Sequence, residues 1–508
     1  MKTWYATCIT DSTDFISDML KETRQLISTS ATYSVGNIMV KFITFLLIPL
    51  YARKLLPDEY GVVAILELVE LLGKTIFSYG LVQSVLRFLV SYKTQGRANE
   101  LVFSNYLFLV VVNIIVLGAL VLFPTGLSRV LLDNSADSIR YIQLILIVIF
   151  FGVIQTLFIT LLQAEEKAVP FIIFTVLTFL LTIGLNIYKV GFLNQGVRGI
   201  VESKLYVAML NFVLISGYLL KRFRPRFSFA VIRESIDYGL PLIFVGVSLT
   251  MLSLADRYLL KVLRDVSEVG IYAMAYKFGM IINMVLITPF RQAFFPLMFR
   301  LAEEQDIKGA YRKFLTYFVF VGLLFVLFVS SFAKEILILA TTPKYYHGYI
   351  IIPFIAFSYF LFGVRTIFAN ALATQKRTRA IAYSTVFGAV FHICFNLILI
   401  PYFGMIGAAI VSVTSYSVIT IATFVPLQKI FPISWDWGRI FRLLFVALIL
   451  LLVSLSIRSN YIWLNILLKF LILISYPLIL YFTNFFTPTE IKSIGKTYST
   501  FRQKLIRN

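Results

Sequence analysis

Charge is scarce in this 508-residue chain: Asp, Glu, Lys and Arg make up 14% of it, whereas 59% of the residues are hydrophobic and the mean hydropathy is +0.87. Chains of this length that fold in water expose charge on every element, so a soluble enzyme and a soluble nucleic-acid binder are both excluded. Acidic residues are scarcer still, 25 against 46 Lys and Arg. In a membrane protein that excess marks cytoplasmic loops rather than a nucleic-acid partner. Histidine occurs only at 347 and 392, and no Asp-x-Asp pair occurs anywhere, so neither a metal cluster nor the metal pair of many sugar transferases is visible. Of the two cysteines, Cys8 lies in a polar tail and Cys394 inside an apolar run, which is no disulfide framework. The nearest approach to a phosphate loop, Gly73-Lys74-Thr75, lacks the glycine five residues earlier and falls inside an apolar run, so ATP-driven transport is not expected. The start of the chain lacks the apolar core of a cleavable signal, and the segment is expected to be retained.

What the chain has is a succession of apolar runs, each near the roughly 20 residues a helix needs to cross a bilayer. A transmembrane β-barrel would instead show alternating segments of about 10 residues. The pattern predicts an all-α polytopic membrane protein with about fourteen transmembrane helices. Residues 1–26 read as a cytoplasmic segment in which Phe15, Met19, Leu26 and Ile27 share one face of an interfacial helix; the other reading is a loosely ordered tail. Six spans follow over 27–220, then a basic cytoplasmic linker at 221–237, six more spans over 238–427, an appended helix pair at 428–484 and a basic tail at 485–508. With both termini in the cytoplasm, about 27 Lys and Arg fall on cytoplasmic segments and about 12 on external ones, as the positive-inside rule requires. The largest contributors are Lys221, Arg222, Arg224, Arg226 and Arg233, then Lys376, Arg377 and Arg379.

An internal repeat organises the spans. Glu59-Tyr60-Gly61 recurs as Glu268-Val269-Gly270, displaced by 209 residues; Gly196-Val197-Arg198-Gly199 recurs as Gly404-Met405-Ile406-Gly407, displaced by 208; Asn186 and Asn396 stand 210 apart. Each unit holds an even number of spans, so both enter the membrane from the same side. Two parallel six-helix lobes, related by a pseudo-twofold along the membrane normal, then enclose a cleft, and transporters of this plan rock one lobe against the other.

Ionisable residues inside spans point to the site, because a charge in lipid needs a partner or a wet cavity. Lys41 lies in the first span; Glu67, Glu70 and Lys74 share a face of the second, with Glu70 and Lys74 as an i,i+4 pair. Lys204 accompanied by Glu202, then Lys277 and Arg365, add charge in both lobes. These five cations against three carboxylates leave an interior net positive by two, which suits an anionic substrate. Lys41, Lys74, Lys277 and Arg365 are the candidate substrate-binding residues, with Glu67 and Glu70 as candidates for H+ or Na+ coupling. Asp256 and Arg257 read either as a gate pair or as a helix terminus. Arg87, Arg291 and Lys469 are expected to snorkel or sit near the interface. No catalytic residue, metal or cofactor is expected.

Three stretches resemble a known family, the polysaccharide-type flippases of the multidrug, oligosaccharidyl-lipid and polysaccharide exporter superfamily. They are Ile48-Pro49-Leu50-Tyr51-Ala52-Arg53 with Pro57-Asp58-Glu59-Tyr60-Gly61, then Asp256-Arg257 with Gly270-Ile271-Tyr272-Ala273, and Asn396-Leu397-Ile398-Leu399-Ile400-Pro401 through Ala409. The resemblance implies a non-enzymatic flippase in a bacterial or archaeal cytoplasmic (inner) membrane. It would move an undecaprenyl-pyrophosphate-linked glycan of O-antigen, capsule or exopolysaccharide type by alternating access, as a monomer among membrane lipids, beside polysaccharide polymerase machinery. It also implies that the appended pair helps form a groove for the isoprenoid tail. A peptidoglycan lipid-intermediate flippase and a cation-coupled multidrug exporter remain alternatives on the same fold. A membrane polysaccharide polymerase or ligase is the alternative of another class, which the short external connections disfavour.

The orientation is testable by labelling. With Cys8 and Cys394 replaced by Ser, Arg224→Cys and Lys376→Cys are expected to resist an impermeant thiol reagent in intact cells, and Lys334→Cys or Arg129→Cys to react. The opposite pattern would invert the topology.

Overall fold

The computed structural model describes residues 45, 47–301, 307–457, 461–483 and 485–486; the proposed interfacial helix, Lys41 and nearly all of the basic tail lie outside them. Helices and short connections account for these residues, with no strand among them. In chain order the elements are α1 (Ile48–Lys54), α2 (Pro57–Ile76), α3 (Leu81–Thr94), α4 (Ala98–Leu122), α5 (Thr125–Leu131), α6 (Ala136–Ala164), α7 (Ala168–Asn186) and α8 (Gly196–Arg222). There follow α9 (Phe229–Leu263), α10 (Val266–Gly279), α11 (Thr288–Arg300), α12 (Ile307–Ser331), α13 (Ala333–Ala340), α14 (Ile352–Thr374), α15 (Thr378–Ile430), α16 (Trp437–Ser456) and α17 (Ile462–Phe482).

Among the described residues eleven helices are long and apolar enough to cross a membrane. One of them, α15, has 53 residues, about 80 Å at 1.5 Å per residue and more than two bilayer cores. Gly404 divides it, with a φ of 54° that no helix sustains. The broken span α2–α3 is missing from the eleven because Asp58, Glu59, Glu67, Glu70 and Lys74 crowd it with charge. Its break is at Tyr79 and Gly80, both at positive φ. Two spans also extend beyond the apolar runs. The seventh, expected from residue 238, begins at Phe229 inside the basic linker, and a π-helical turn at Ile187–Phe192 prolongs the fifth; a second such turn, Asn283–Ile287, lies within the eighth.

Surfaces are apolar where a soluble protein's would be polar. Phe192, Leu122 and Phe482 are about three-quarters exposed, and α7 buries only Phe171 and Asn186 along its length. That is the signature of helices solvated by lipid. Polar side chains instead point inward and back-bond to their own helices, as Thr182 and Ser203 do.

The repeat is written into the packing. A Cβ added to Gly61 would stand 2.1 Å from the Val266 carbonyl oxygen, and one added to Gly270 would stand 1.8 Å from the Pro57 carbonyl oxygen. Gly270 is 209 residues from Gly61, and Val266 is 209 from Pro57, so the contact between α2 and α10 maps onto itself when the two units are exchanged. Such reciprocity is what a twofold relation imposes. Each unit also sets a glutamate against a positive-φ glycine at a later helix start, Glu59 beside Gly196 and Glu268 beside Gly404, where Glu268 accepts from Met405 N–H at 2.5 Å. The connections leaving α6 and α14 match as well. Each is closed by a left-handed residue, Glu166 or Lys376, and by a bond spanning five residues, Lys167 N–H to Leu162 O and Arg377 N–H to Leu372 O, both 2.9 Å.

Gly61→Ala and Gly270→Ala are each expected to cost about 1–3 kcal/mol by overpacking backbone that has no room to yield. The reciprocity makes the two falls in thermal unfolding midpoint similar. Tolerance of either alanine without loss would contradict the close approach of α2 and α10.

Candidate functional site

Helical spacing puts Glu67, Glu70 and Lys74 on one face of α2, and the fold turns that face toward α8, α9 and α10. Glu70 is held at both oxygens: Lys74 Nζ lies 2.6 Å from Oε1, and Lys204 Nζ, from α8, lies 2.7 Å from Oε2. Glu67, one turn away, reaches across to the second lobe. Its Oε2 is 3.3 Å from Arg257 Nη1 of α9 and its Oε1 is 3.4 Å from Lys277 Nζ of α10. Aromatic faces support the two second-lobe cations, Tyr60 under Lys277 at 5.2 Å and Tyr276 under Arg257 at 5.7 Å.

Four cations and two carboxylates therefore share one interior cluster, with a net charge of +4 − 2 = +2. Glu67, Lys74 and Lys204 each keep between 26% and 29% of their side-chain surface exposed, so the cluster borders accessible space. Lys277 and Arg257 are more enclosed, at 13% and 5%. Room for the Lys74 stem comes from Gly152 of α6, where a Cβ would lie 2.1 Å from Lys74 Cε.

Several expectations from the sequence are redirected. Lys74 is satisfied by Glu70, as its i,i+4 spacing allows, but Glu70 also serves Lys204. Glu202, read as the companion of Lys204, instead accepts from Lys189 at 2.5 Å and Arg198 at 2.6 Å. Lys277 has no carboxylate within a turn of its own helix and finds Glu67 across the lobes. Asp256 and Arg257 diverge: Arg257 turns to Glu67, whereas Asp256 faces Tyr272, Asn396, Ser412 and His392. Arg365 stands apart from the cluster, buried to 6% exposure, with Nη2 donating to Thr385 Oγ1 at 2.5 Å and no acceptor at Nε. Lys469 does not snorkel; it is buried 2.5 Å from Glu335. Lys41 lies outside the described residues.

A second feature is a groove of about 1070 Å³ between α12, α14, α16 and α17. Leu323, Val326, Phe354, Phe357, Leu444 and Leu451 make its wall apolar, and the Glu335–Lys469 pair borders it.

Comparison with known proteins shows the family and the fold. Residues 26–302, more than half of the chain, match the family model described as polysaccharide biosynthesis protein, and residues 241–398 match the model described as MatE. An uncharacterized membrane protein of Methanocaldococcus jannaschii is 23% identical, covering 76% of this chain and 81% of its own. Among solved structures, the lipid II flippase MurJ in an inward closed conformation superposes with a TM-score of 0.72 at 12% identity, over 90% of this chain and 98% of its own. A multidrug resistance MATE family transporter of the MOP superfamily, in an inward-facing conformation, superposes with a TM-score of 0.64 at 15% identity, over 78% of this chain and 98% of its own.

The cross-lobe pair can be checked by charge reversal. Glu67→Lys and Lys277→Glu are each expected to lower the unfolding midpoint, and the double reversal to recover about half of the larger loss or more. Additive losses would mean that the two side chains do not act on each other.

Proposed function

The chain belongs to the polysaccharide biosynthesis protein family, with the fold of multidrug/oligosaccharidyl-lipid/polysaccharide exporters, and we propose that it is a flippase for an undecaprenyl-pyrophosphate-linked oligosaccharide. The observation that carries this reading is the interior cluster of four cations and two carboxylates joining the lobes. A pyrophosphate diester carries about two negative charges and many acceptor oxygens, so it matches the surplus and suits ammonium and guanidinium donors.

The cycle follows from competition for those donors. Without substrate, Glu67 ties α2 of the first lobe to Arg257 and Lys277 of the second. Pyrophosphate entering the cleft binds Lys277 and Arg257 in place of Glu67, and the tie between the lobes loosens at the moment the substrate is held. Lys74 and Lys204 keep Glu70 neutralised and supply the remaining positive field. The isoprenoid tail stays in the apolar groove against α16 and α17, where each buried methylene contributes about 0.8 kcal/mol. The glycan crosses from the cytoplasmic to the outer leaflet, with both termini of the chain in the cytoplasm, and polymerase machinery receives it.

The MatE match over 241–398 supports a second reading, a cation-coupled multidrug exporter. The net positive cluster and the appended helix pair count against it, since exporters of that kind tend toward an acidic cavity and about twelve spans. A peptidoglycan lipid intermediate carries the same pyrophosphate and tail, so it is separated only by testing both lipids.

In liposomes containing the purified protein and a fluorescent lipid-pyrophosphate oligosaccharide, flipping is expected without ATP. Lys277→Ala is expected to slow it by about 10- to 100-fold, the loss of one charge-assisted contact, with Lys277→Arg retaining part of the rate. Lys41→Ala is expected to act in the same direction. Full activity in Lys277→Ala, or faster transport of cations than of the lipid, would overturn the proposal.

A further inference from the structure

The groove between the second lobe and the appended helix pair is apolar along most of its length but not at one end. Leu323 and Leu444 lie deep in it, whereas Ser330, Ser331, Lys334, Glu335 and Lys469 gather where α12 and α16 finish and α17 starts. Along α16 the wall runs from Leu444 to Leu455, eleven residues apart and so about 16 Å at 1.5 Å per residue. Half of a bilayer core of about 30 Å is about 15 Å, so the groove spans one leaflet. Its polar end has groups left over. Ser330, Ser331 and Glu335 are 1%, 3% and 5% exposed, and among the described residues Ser330 Oγ, Ser331 Oγ and Glu335 Oε2 have no hydrogen-bond partner. Lys469 Nζ takes only Oε1 of Glu335, at 2.5 Å. Lys334 is exposed at the rim and forms no ion pair among the described residues. Two cations against one carboxylate give this end a net charge of +2 − 1 = +1.

We propose that this end of the groove is the headgroup site of a membrane glycerophospholipid with one net negative charge and a hydroxylated headgroup, a phosphatidylglycerol, whose acyl chain lies along the groove. The inference goes beyond the flippase reading and does not depend on it. The phosphodiester accepts from the Lys334 ammonium and from the buried hydroxyls of Ser330 and Ser331, which lack any other acceptor. A headgroup hydroxyl donates to Glu335 Oε2, and Lys469 stays on Oε1. One anionic lipid cancels the surplus of one positive charge, whereas a zwitterionic headgroup leaves it standing. Water satisfies hydroxyls but leaves the apolar wall of a groove of about 1070 Å³ unfilled. Basic pockets between transmembrane helices recognise anionic headgroups by the same chemistry, and a chain that ends near the midplane fits a lipid resident in one leaflet. The bound lipid bridges α12 and α13 to α17, so it fastens the appended pair to the second lobe.

The full chain, purified in detergent and given back defined lipids, can be weighed by native mass spectrometry to count the lipids it retains. Phosphatidylglycerol is expected to be retained about tenfold more than phosphatidylcholine or phosphatidylethanolamine, and to raise the unfolding midpoint where they do not. Lys334→Gln is expected to weaken retention about tenfold, the loss of one charge-assisted contact, and Ser330→Ala with Ser331→Ala to weaken it about two- to tenfold. Leu448→Trp, which narrows the groove without touching its charges, is expected to weaken retention as well and serves if the serine variant fails to fold. Lys344→Gln removes an exposed cation outside the groove and is expected to change nothing. Equal retention of the three lipids, as a groove holding only water inside a loose lipid shell gives, overturns the proposal. A preference for phosphatidylethanolamine overturns it too, as does an equal effect of Lys334→Gln and Lys344→Gln. These measurements need no transport, so a failed flipping assay leaves them standing, and their own failure leaves the flippase reading intact.

Discussion

Every charge placed inside the bilayer must be offset, and this requirement organises the interior of the molecule. The effective cost of leaving one ion uncompensated in a low-dielectric interior is several kcal/mol, comparable to the whole stability of a domain. Three carboxylates within the spans show the response. Glu70 holds two ammonium groups, Glu67 faces an ammonium and a guanidinium, and Glu202 accepts from Lys189 and Arg198. In each case cations outnumber the acid. A fully neutral network would be more stable and inert; this one keeps unspent attraction for an anion while no single side chain is stranded. The same rule accounts for Lys469, which takes Glu335 as its partner where helices α12 to α17 leave a groove.

Close backbone packing determines what that network can do. Because Gly61 and Gly270 bring α2 and α10 together without intervening side chains, Glu67 and Lys277 further along those helices lie within reach. The seam is rigid where backbone meets backbone, and the ion pairs, at 3.3 Å and 3.4 Å, are longer than those around Glu70. The seam thus combines a close backbone approach with ion pairs longer than those within the first lobe.

The fold was largely legible in the sequence because a bilayer imposes its thickness on each apolar run, and the duplication left glycines at a fixed displacement. Where legibility failed, polarity concealed a helix. Arg233, Glu234 and Asp237 disguised the start of α9, and the charged face of α2 blurred the second span. Local pairing was also readable: Glu70 and Lys74 are one turn apart. The rest of the cluster was not, since Glu67 meets Arg257 and Lys277 across 190 and 210 residues, and no periodicity encodes that. Asp256 and Arg257 are neighbours in the sequence, yet consecutive residues on a helix project about 100° apart, and these two serve different partners. His392 carried no signal by itself; only the fold puts it against Asp256.

That divergence of two neighbouring residues places two polar environments on one helix. Arg257 meets Glu67 at the seam between the lobes, whereas Asp256 lies within the second lobe beside Tyr272, Asn396, Ser412 and His392. A buried carboxylate has to find its donors in the packing around it, and these four side chains come from α10 and from both sides of Gly404 in α15. None of the four takes part in the pairing of Glu67 with Arg257 and Lys277, so a change at the seam leaves the partners of Asp256 in place.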